Sequence, residues 1–281
     1  MTETAQKPRI LVTGANGRLG HLLRKAWGMW PASPVHPVFA ARHPPADLLL
    51  EAGSPLPDLP SCDSVVALWG KTSGDAATLD QNISLADATR AVARACGARR
   101  VLHLSSAAVY GPGADLEETT TPKPHGPYGQ SKLAMEARVA GFADDHAHHV
   151  CLRLANVVGA DSLAPALTTQ GPVRLDRFEN DAGPLRSYLS PGDLVRILSA
   201  LSALPVADLP DILNVATPDP VAMADLARAA GQDIEWQPAP DGATQIVTLK
   251  AQRLTRLLPQ ISLHRTAEDM IADWQQFRDP E

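Results

Sequence analysis

The sequence predicts an α/β fold: a doubly wound parallel sheet with a small C-terminal substrate lobe. Three observations carry this. The apolar run Arg9 to Thr13 leads straight into a glycine-spaced turn and a helical period. Strand-length apolar runs recur at Val35 to Ala41, Val65 to Trp69, Val101 to Leu104 and Val150 to Leu154. Between them lie helix-length stretches. The clearest, Asn82 to Cys96, places Ile83, Leu85, Ala88 and Val92 on an apolar face and is long enough for a right-handed return to a parallel neighbour.

Composition narrows the function classes. In 281 residues, 44% hydrophobic and 20% charged content exclude a disordered chain. Twenty-five basic against 31 acidic residues give a net charge of -6, which argues against a broad grip on nucleic acid and leaves a small anionic ligand open. Cys62, Cys96 and Cys151 form no C-x-x-C pair and read as buried thiols of a reducing compartment. The opening MTETAQKPRI has no apolar signal region, and no run of 18 apolar residues follows. A cytoplasmic protein without a membrane span is expected.

Each element then suggests its chemistry. Gly14-Ala15-Asn16-Gly17-Arg18-Leu19-Gly20 spaces three glycines at a strand-to-helix turn: Gly14 for the bend, Gly17 for close approach of pyrophosphate, Gly20 for helix-sheet packing. Asn16, Arg18 and Leu19 belong to the same cradle, and a helix from His21 to Met29 follows. After the second strand comes Arg42, where an acidic residue would accept both ribose hydroxyls; an arginine suits a 2'-phosphate. With Arg18 as a second positive group, NADP is favoured and NAD stays possible. The proline-rich stretch from Pro44 to Pro60 holds one compact apolar run, Leu48 to Leu50. Trp69 is a candidate for the nicotinamide pocket or a sheet cap, and Lys71 is a weaker substrate candidate.

The reactive groups follow the next strand. Leu104-Ser105-Ser106-Ala107-Ala108-Val109-Tyr110-Gly111 turns from strand to small hydroxyl residues, bringing Ser106 and Ala107 to the cleft. Tyr128-Gly129-Gln130-Ser131-Lys132 opens a helix with Tyr128 and Lys132 on one face. Tyr128 can exchange a proton, Lys132 can favour its deprotonated form and hold a ribose, and Ser106 can hydrogen-bond the substrate oxygen.

In TGANGRLG, LSSAAVYG and YGQSK, taken in that order, the chain resembles the extended short-chain dehydrogenase/reductase family, especially its NAD(P)-dependent epimerases, dehydratases and reductases. The resemblance covers about Pro8 to Ala230 and implies a Rossmann-like sheet. It also implies catalytic roles for Ser106, Tyr128 and Lys132, and places Asn82 beside the active-site helix and Asn156, in RLANVVG, near the cofactor-substrate junction. A homodimer through the helices around Asn82 to Cys96 and Gly129 to Ala143 is implied as well. Two departures matter: Ala40-Ala41-Arg42 where many members have an acid, and only Asp161 to Gly171 where the nucleotide-sugar lobe has a long helix. Arg186 could face substrate; Arg174 and Arg177 are anion ligands or solvated ion pairs.

The domain reading is 1-160 for the predominantly dinucleotide-binding part and 161-281 for a substrate lobe with segments returning to the core. Asp144-Asp145-His146-Ala147-His148-His149 reads as a polar surface turn, so no metal is expected, and Trp236 and Trp274 read as packing residues. The function expected is NADP-dependent, reversible hydride transfer to or from a sugar-related or other hydroxy/keto substrate. Nucleotide-sugar epimerisation and a catalytically inactive NADP-binding or sensing protein are the alternatives.

Overall fold

The computed structural model describes residues 7–142 and 146–278. In chain order the first half runs β1 (Arg9–Thr13), α1 (Arg18–Gly28), β2 (His36–Ala41), β3 (Leu48–Leu49), β4 (Ser64–Ala67), α2 (Ala76–Cys96), β5 (Arg100–Ser106), β6 (Gly113–Leu116), α3 (Pro127–Ala140) and β7 (His148–Leu154). There follow β8 (Asn156–Val157), α4 (Ala164–Thr168), β9 (Val173–Arg177), β10 (Leu185–Arg186), β11 (Tyr188–Leu189) and α5 (Pro191–Ala203). The chain ends with β12 (Ile212–Val215), β13 (Val221–Ala222), α6 (Met223–Ala229), β14 (Ile234–Pro238), β15 (Ile246–Leu249), α7 (Gln252–Leu257) and α8 (Ala267–Gln275).

Seven strands form one parallel sheet in the order β12-β7-β5-β4-β1-β2-β3. The chain winds outward from β1 to β3, then reverses through β4, so the strand order switches between β1 and β4. Ligands of such sheets bind at the carboxyl ends of the strands at that point. Both faces are covered, which is why Leu11, Val65, Val66, Val101 and Leu102 are buried without alternation. On one face α1 lies against α5, with the Trp27 indole donating to Ser199 Oγ at 3.0 Å. On the other lie α2 and α3, with the proline-rich 50–62 segment over Leu11 and Val65.

Helix α2 begins six residues before the expected Asn82, because the Asp75 carboxylate caps it by accepting from the Thr78 N–H at 2.8 Å. The two parts of the chain interleave: β12 returns to the large sheet, and β6 crosses into the lobe's sheet, β13-β10-β15-β6. Helix α8 closes the molecule. Asp273 accepts from the Gly192 N–H at 2.8 Å at the start of α5, and Trp274 packs on Gly159, where any side chain would collide with the indole. Between β8 and β9 the one helix is α4, of five residues.

The polar cluster expected as a surface turn is only partly one. Asp144 and Asp145 lie outside the described residues, but His148 and His149 belong to β7, and His149 is buried with its Nδ1 3.0 Å from His103 Nε2. Among the described residues no three His, Cys, Asp or Glu side chains group to hold a metal, and no helix is long and apolar enough to cross a membrane. Cys62, Cys96 and Cys151 are free and buried.

Candidate active site

The glycine loop makes the cradle that its spacing predicts. Gly14 has φ +68°, and a Cβ on it would lie 2.5 Å from the Trp69 nitrogen; on Gly20 it would lie 2.7 Å from the carbonyl oxygens of Gly14 and Ala15. Only glycine lets β1, the β4 exit and α1 converge here. Gly17 caps α1 without a side-chain bond and no acidic residue occupies the first turn, so an anion there would meet the helix's uncapped N–H groups without repulsion. These features fit the pyrophosphate of a dinucleotide.

The two arginines expected to favour NADP have different surroundings. Arg42 is exposed at the end of β2 and makes no hydrogen bond among the described residues. Arg18 instead reaches the Asp161 carbonyl at 3.3 Å, across the cleft in the loop after β8. Asn16 also serves the fold: its Nδ2 donates to the His43 carbonyl at 2.6 Å, while Arg24 bridges Asn16 Oδ1 and the Pro45 carbonyl. Asp47 does not substitute for an acid after β2, because its carboxylate accepts the Phe39 N–H at 2.8 Å.

Strand β4 stops at Ala67, two residues before Trp69. The Trp69 indole turns from the reactive end toward α2, donating to Thr89 Oγ1 at 2.8 Å and flooring a cavity of about 500 Å³ shared with Glu51, Leu56 and Leu85. Its hydrogen bond and packing hold the indole beside α2, the sheet-cap arrangement, while its backbone abuts Gly14 of the cradle. Gly70 lies close to the reactive groups: a Cβ there would sit 3.3 Å from both Lys132 Nζ and Asn82 Oδ1. Asn82, 1% exposed, accepts from the Lys71 N–H at 2.9 Å and donates to the Lys71 carbonyl and Ser131 Oγ at 3.0 Å each. Its side chain therefore acts on the loop. The Lys71 backbone is clamped at both its N–H and its carbonyl.

Ser106, Tyr128 and Lys132 come together. Ser106 ends β5, its Oγ accepts the Ala108 N–H at 3.1 Å, and it hydrogen-bonds the Tyr128 phenol. Pro127 opens α3, and Gly129 lets the helix press against the turn Ala107–Val109: a Cβ would meet the Ala108 carbonyl and lie 2.9 Å from Pro124 Cβ. Ala107 thus lies beside the serine. Lys132 is 5% exposed and donates to the Leu104 carbonyl at 2.9 Å, with Met135 Sδ at 3.8 Å. No hydrogen bond joins its ammonium to the phenol. Burial lowers the lysine to about 8, while burial raises the Tyr128 phenol against the opposing Ser106 bond. Near neutral pH the tyrosine holds its proton and the lysine its charge, the state suited to protonating a developing alkoxide.

On the lobe side, Asn156 lies on β8 beside Tyr188 of β11, whose hydroxyl donates to Asp161 Oδ2 at 2.9 Å. Arg186 is tied into the fold by three of its five N–H groups. Its guanidinium donates to the carbonyls of Leu185, Gln245 and Thr244 at 2.6–2.8 Å, tying β10 to the chain before β15. Arg174 pairs with Glu235 at 2.9 Å and Arg177 with Asp181 at 3.3 Å, the ion-pair alternative. Ser190, His264 and Asp193 also meet, but serine and carboxylate both bind the same imidazole nitrogen, Nδ1, at 3.1 Å, so no proton relay passes through the ring.

One group escaped the motifs. Glu136, on the face of Tyr128 and Lys132, forms a buried two-pronged pair with Arg153 of β7: Nη2 to Oε2 at 2.8 Å and Nε to Oε1 at 3.1 Å. Arg153 lies over the Tyr110 ring at 4.7 Å, and the Tyr110 hydroxyl donates to Asn214 at 2.8 Å. Tyr110 is therefore part of the core beneath the site. The spacing of eight residues from Tyr128 was the available signal.

Comparison with known proteins follows the same lines. Among solved structures, the chain is similar to an NAD-dependent NDP-hexosamine 5,6-dehydratase, TunA, involved in tunicamycin biosynthesis: TM-score 0.78 and 22% identity over 97% of this chain and 99% of that one. It is similar to MoeE5 in complex with UDP-glucuronic acid and NAD, at 0.75 and 20% over 95% and 99%. A Thermus thermophilus UDP-glucose 4-epimerase in complex with NAD matches at 0.72 and 20% over 96% and 98%. These likenesses concern the fold. No curated protein matches the sequence. A family model matches residues 60–216, more than half of the chain, and includes Asn82, Ser106, Tyr128, Lys132 and Asn156. The chain belongs to the NAD dependent epimerase/dehydratase family of enzymes.

Proposed function

We propose that the protein catalyses reversible hydride transfer between NADP(H) and a hydroxyl or keto group of a sugar-related substrate. The observation that carries this reading is the convergence of Ser106, Tyr128 and Lys132 beside the glycine cradle of Gly14, Gly17 and Gly20. When bound, a nicotinamide dinucleotide supplies or accepts the hydride. In the reducing direction Tyr128 Oη gives its proton to the substrate oxygen and becomes the phenolate; in the oxidising direction that phenolate form takes the hydroxyl proton. Ser106 orients that oxygen, and Lys132 contributes positive charge and donors for a ribose. Asn82 keeps the Gly70–Lys71 loop in place. Asn156 and Lys71 face substrate in this reading, and Leu19 lies in the cradle.

The preference for NADP rests on Arg42 and on the lack of a carboxylate at the end of β2; Arg18 serves the pyrophosphate. Titration with both cofactors tests it. NADP should bind more tightly, and Arg42→Ala should weaken NADP by about tenfold or more while sparing NAD. Equal losses for both would remove the preference, and failure to bind either would remove the whole reading.

A second reading, transient oxidation during epimerisation of a nucleotide sugar, is supported by the similarity to UDP-sugar enzymes. Turnover without net cofactor change would favour it. The buried free thiols suit a cytoplasmic setting. A homodimer through α2 and α3 belongs to the same proposal; a monomeric mass by sedimentation would remove it.

A further inference from the structure

The reactive face of α3 continues one turn past Lys132, and β5 meets it with three consecutive residues. Ser106 hydrogen-bonds Tyr128, the Leu104 carbonyl accepts from Lys132 Nζ at 2.9 Å, and Ser105 Oγ donates to Glu136 Oε1 at 2.5 Å. Thus Tyr128, Lys132 and Glu136 are all seated on one strand end. We propose that Glu136 is a positioning residue for Lys132: its fixed carboxylate keeps the buried ammonium protonated and seated on the Leu104 carbonyl without itself occupying Nζ.

Lys132 has the more costly of the two burials, because its partners are a neutral carbonyl and a thioether sulfur. A direct carboxylate partner would offset that cost but would also fill the donor positions a ribose needs. Glu136 is held away from such a contact by Ser105 and by both prongs of Arg153, itself fixed over Tyr110 and on the Glu118 carbonyl at 3.4 Å. The groups facing Lys132 from its neighbours leave no other anion. His103 of β5 is held neutral, lowered to about 3 by burial; the Cys151 thiol of β7 is pushed up by burial; Arg153 of β7 is cationic; Tyr128 keeps its proton, and Asn82 of α2 is neutral. Cys151 and then Glu136 favour the charged lysine, and with the thiol kept protonated by its burial the carboxylate is the one of the two that carries charge near neutral pH.

The inference rests on the role proposed for Lys132, yet its test reads the lysine directly. The chain has six lysines, so ε-13C-lysine NMR titration of the whole protein, with Lys132→Met for assignment, follows Lys132 alone. Wild type should titrate near 8. Glu136→Gln should lower the midpoint by about half a pH unit or more. Ser105→Ala, which loosens the seat but keeps the charge, should titrate with wild type. If Glu136→Gln fails to fold, Glu136→Gln/Arg153→Met leaves no unpaired charge in the core and should also titrate lower. An unchanged midpoint in the folded variant, or an equal fall in Ser105→Ala, overturns the inference. Absence of hydride transfer with the Glu136 shift intact would strike the proposed reaction, whereas an unchanged midpoint with turnover intact would strike the role of Glu136.

Discussion

Gly14→Ala tests the cofactor cradle, and its cost can be worked from the structure. Two penalties add. The backbone at φ +68° disfavours any L side chain by about 1–2 kcal/mol. The new Cβ would also sit 2.5 Å from the Trp69 nitrogen and 2.7 Å from its Cα, about 1 Å inside an ordinary contact distance of about 3.5 Å. Both opposing atoms are backbone, so β1 and the β4 exit must part, adding about 1–3 kcal/mol. Gly97→Ala separates the two effects: that residue caps α2 at φ +73° with nothing within 4 Å of its Cβ position. Urea denaturation should give a loss of about 1–2 kcal/mol for Gly97→Ala and about 2–5 kcal/mol for Gly14→Ala. Cofactor titration should show binding weakened about tenfold or more in Gly14→Ala and unchanged in Gly97→Ala. Equal stability losses with normal cofactor binding in both variants would refute the reasoning.

Three further outcomes follow from buried groups. Lys132 titrates near 8 when folded and at 10.5 when unfolded, so below pH 8 the fold carries a desolvation cost of about 3 kcal/mol. Between those values the unfolded chain binds the extra proton, and this contribution becomes more favourable as pH rises; Lys132→Met should therefore raise stability at pH 7 and lose that advantage by pH 10.5 in denaturation curves. Arg153→Met strands the buried Glu136 carboxylate and should cost about 3–5 kcal/mol by the same method, against the reading if it is silent. Asn82→Ala leaves the Lys71 backbone groups and Ser131 without their partner, for a loss of about 2–3 kcal/mol and weaker cofactor binding by calorimetry.

What the sequence disclosed was the chemistry that depends on local spacing. Gly14, Gly17 and Gly20 at a strand-helix turn, and Tyr128 four residues before Lys132, specify their geometry within a single turn of chain. What stayed hidden depends on distant partners. The start of α2 was obscured because Ala76 to Gln81 has little apolar period, although Asp75 was a readable cap. Strand β6 has no strand pattern and exists through pairing with β15, over 130 residues away. Arg186 and Trp69 occupy suggestive positions, but the carbonyls of Thr244 and Gln245 and the hydroxyl of Thr89 decide where they point. Arg18 and Arg42 look alike in the sequence, both basic and near the loop, whereas the contact of Arg18 with Asp161 depends on a turn 143 residues on.

The most direct test of hydride transfer with Tyr128 as its proton carrier is the kinetics of Tyr128→Phe, which removes one oxygen. With a sugar or ketone substrate identified by NADPH oxidation, kcat should fall by about 10²- to 10⁴-fold while NADP affinity stays within about threefold of wild type. Undiminished turnover in a folded, NADP-binding Tyr128→Phe enzyme would contradict the account.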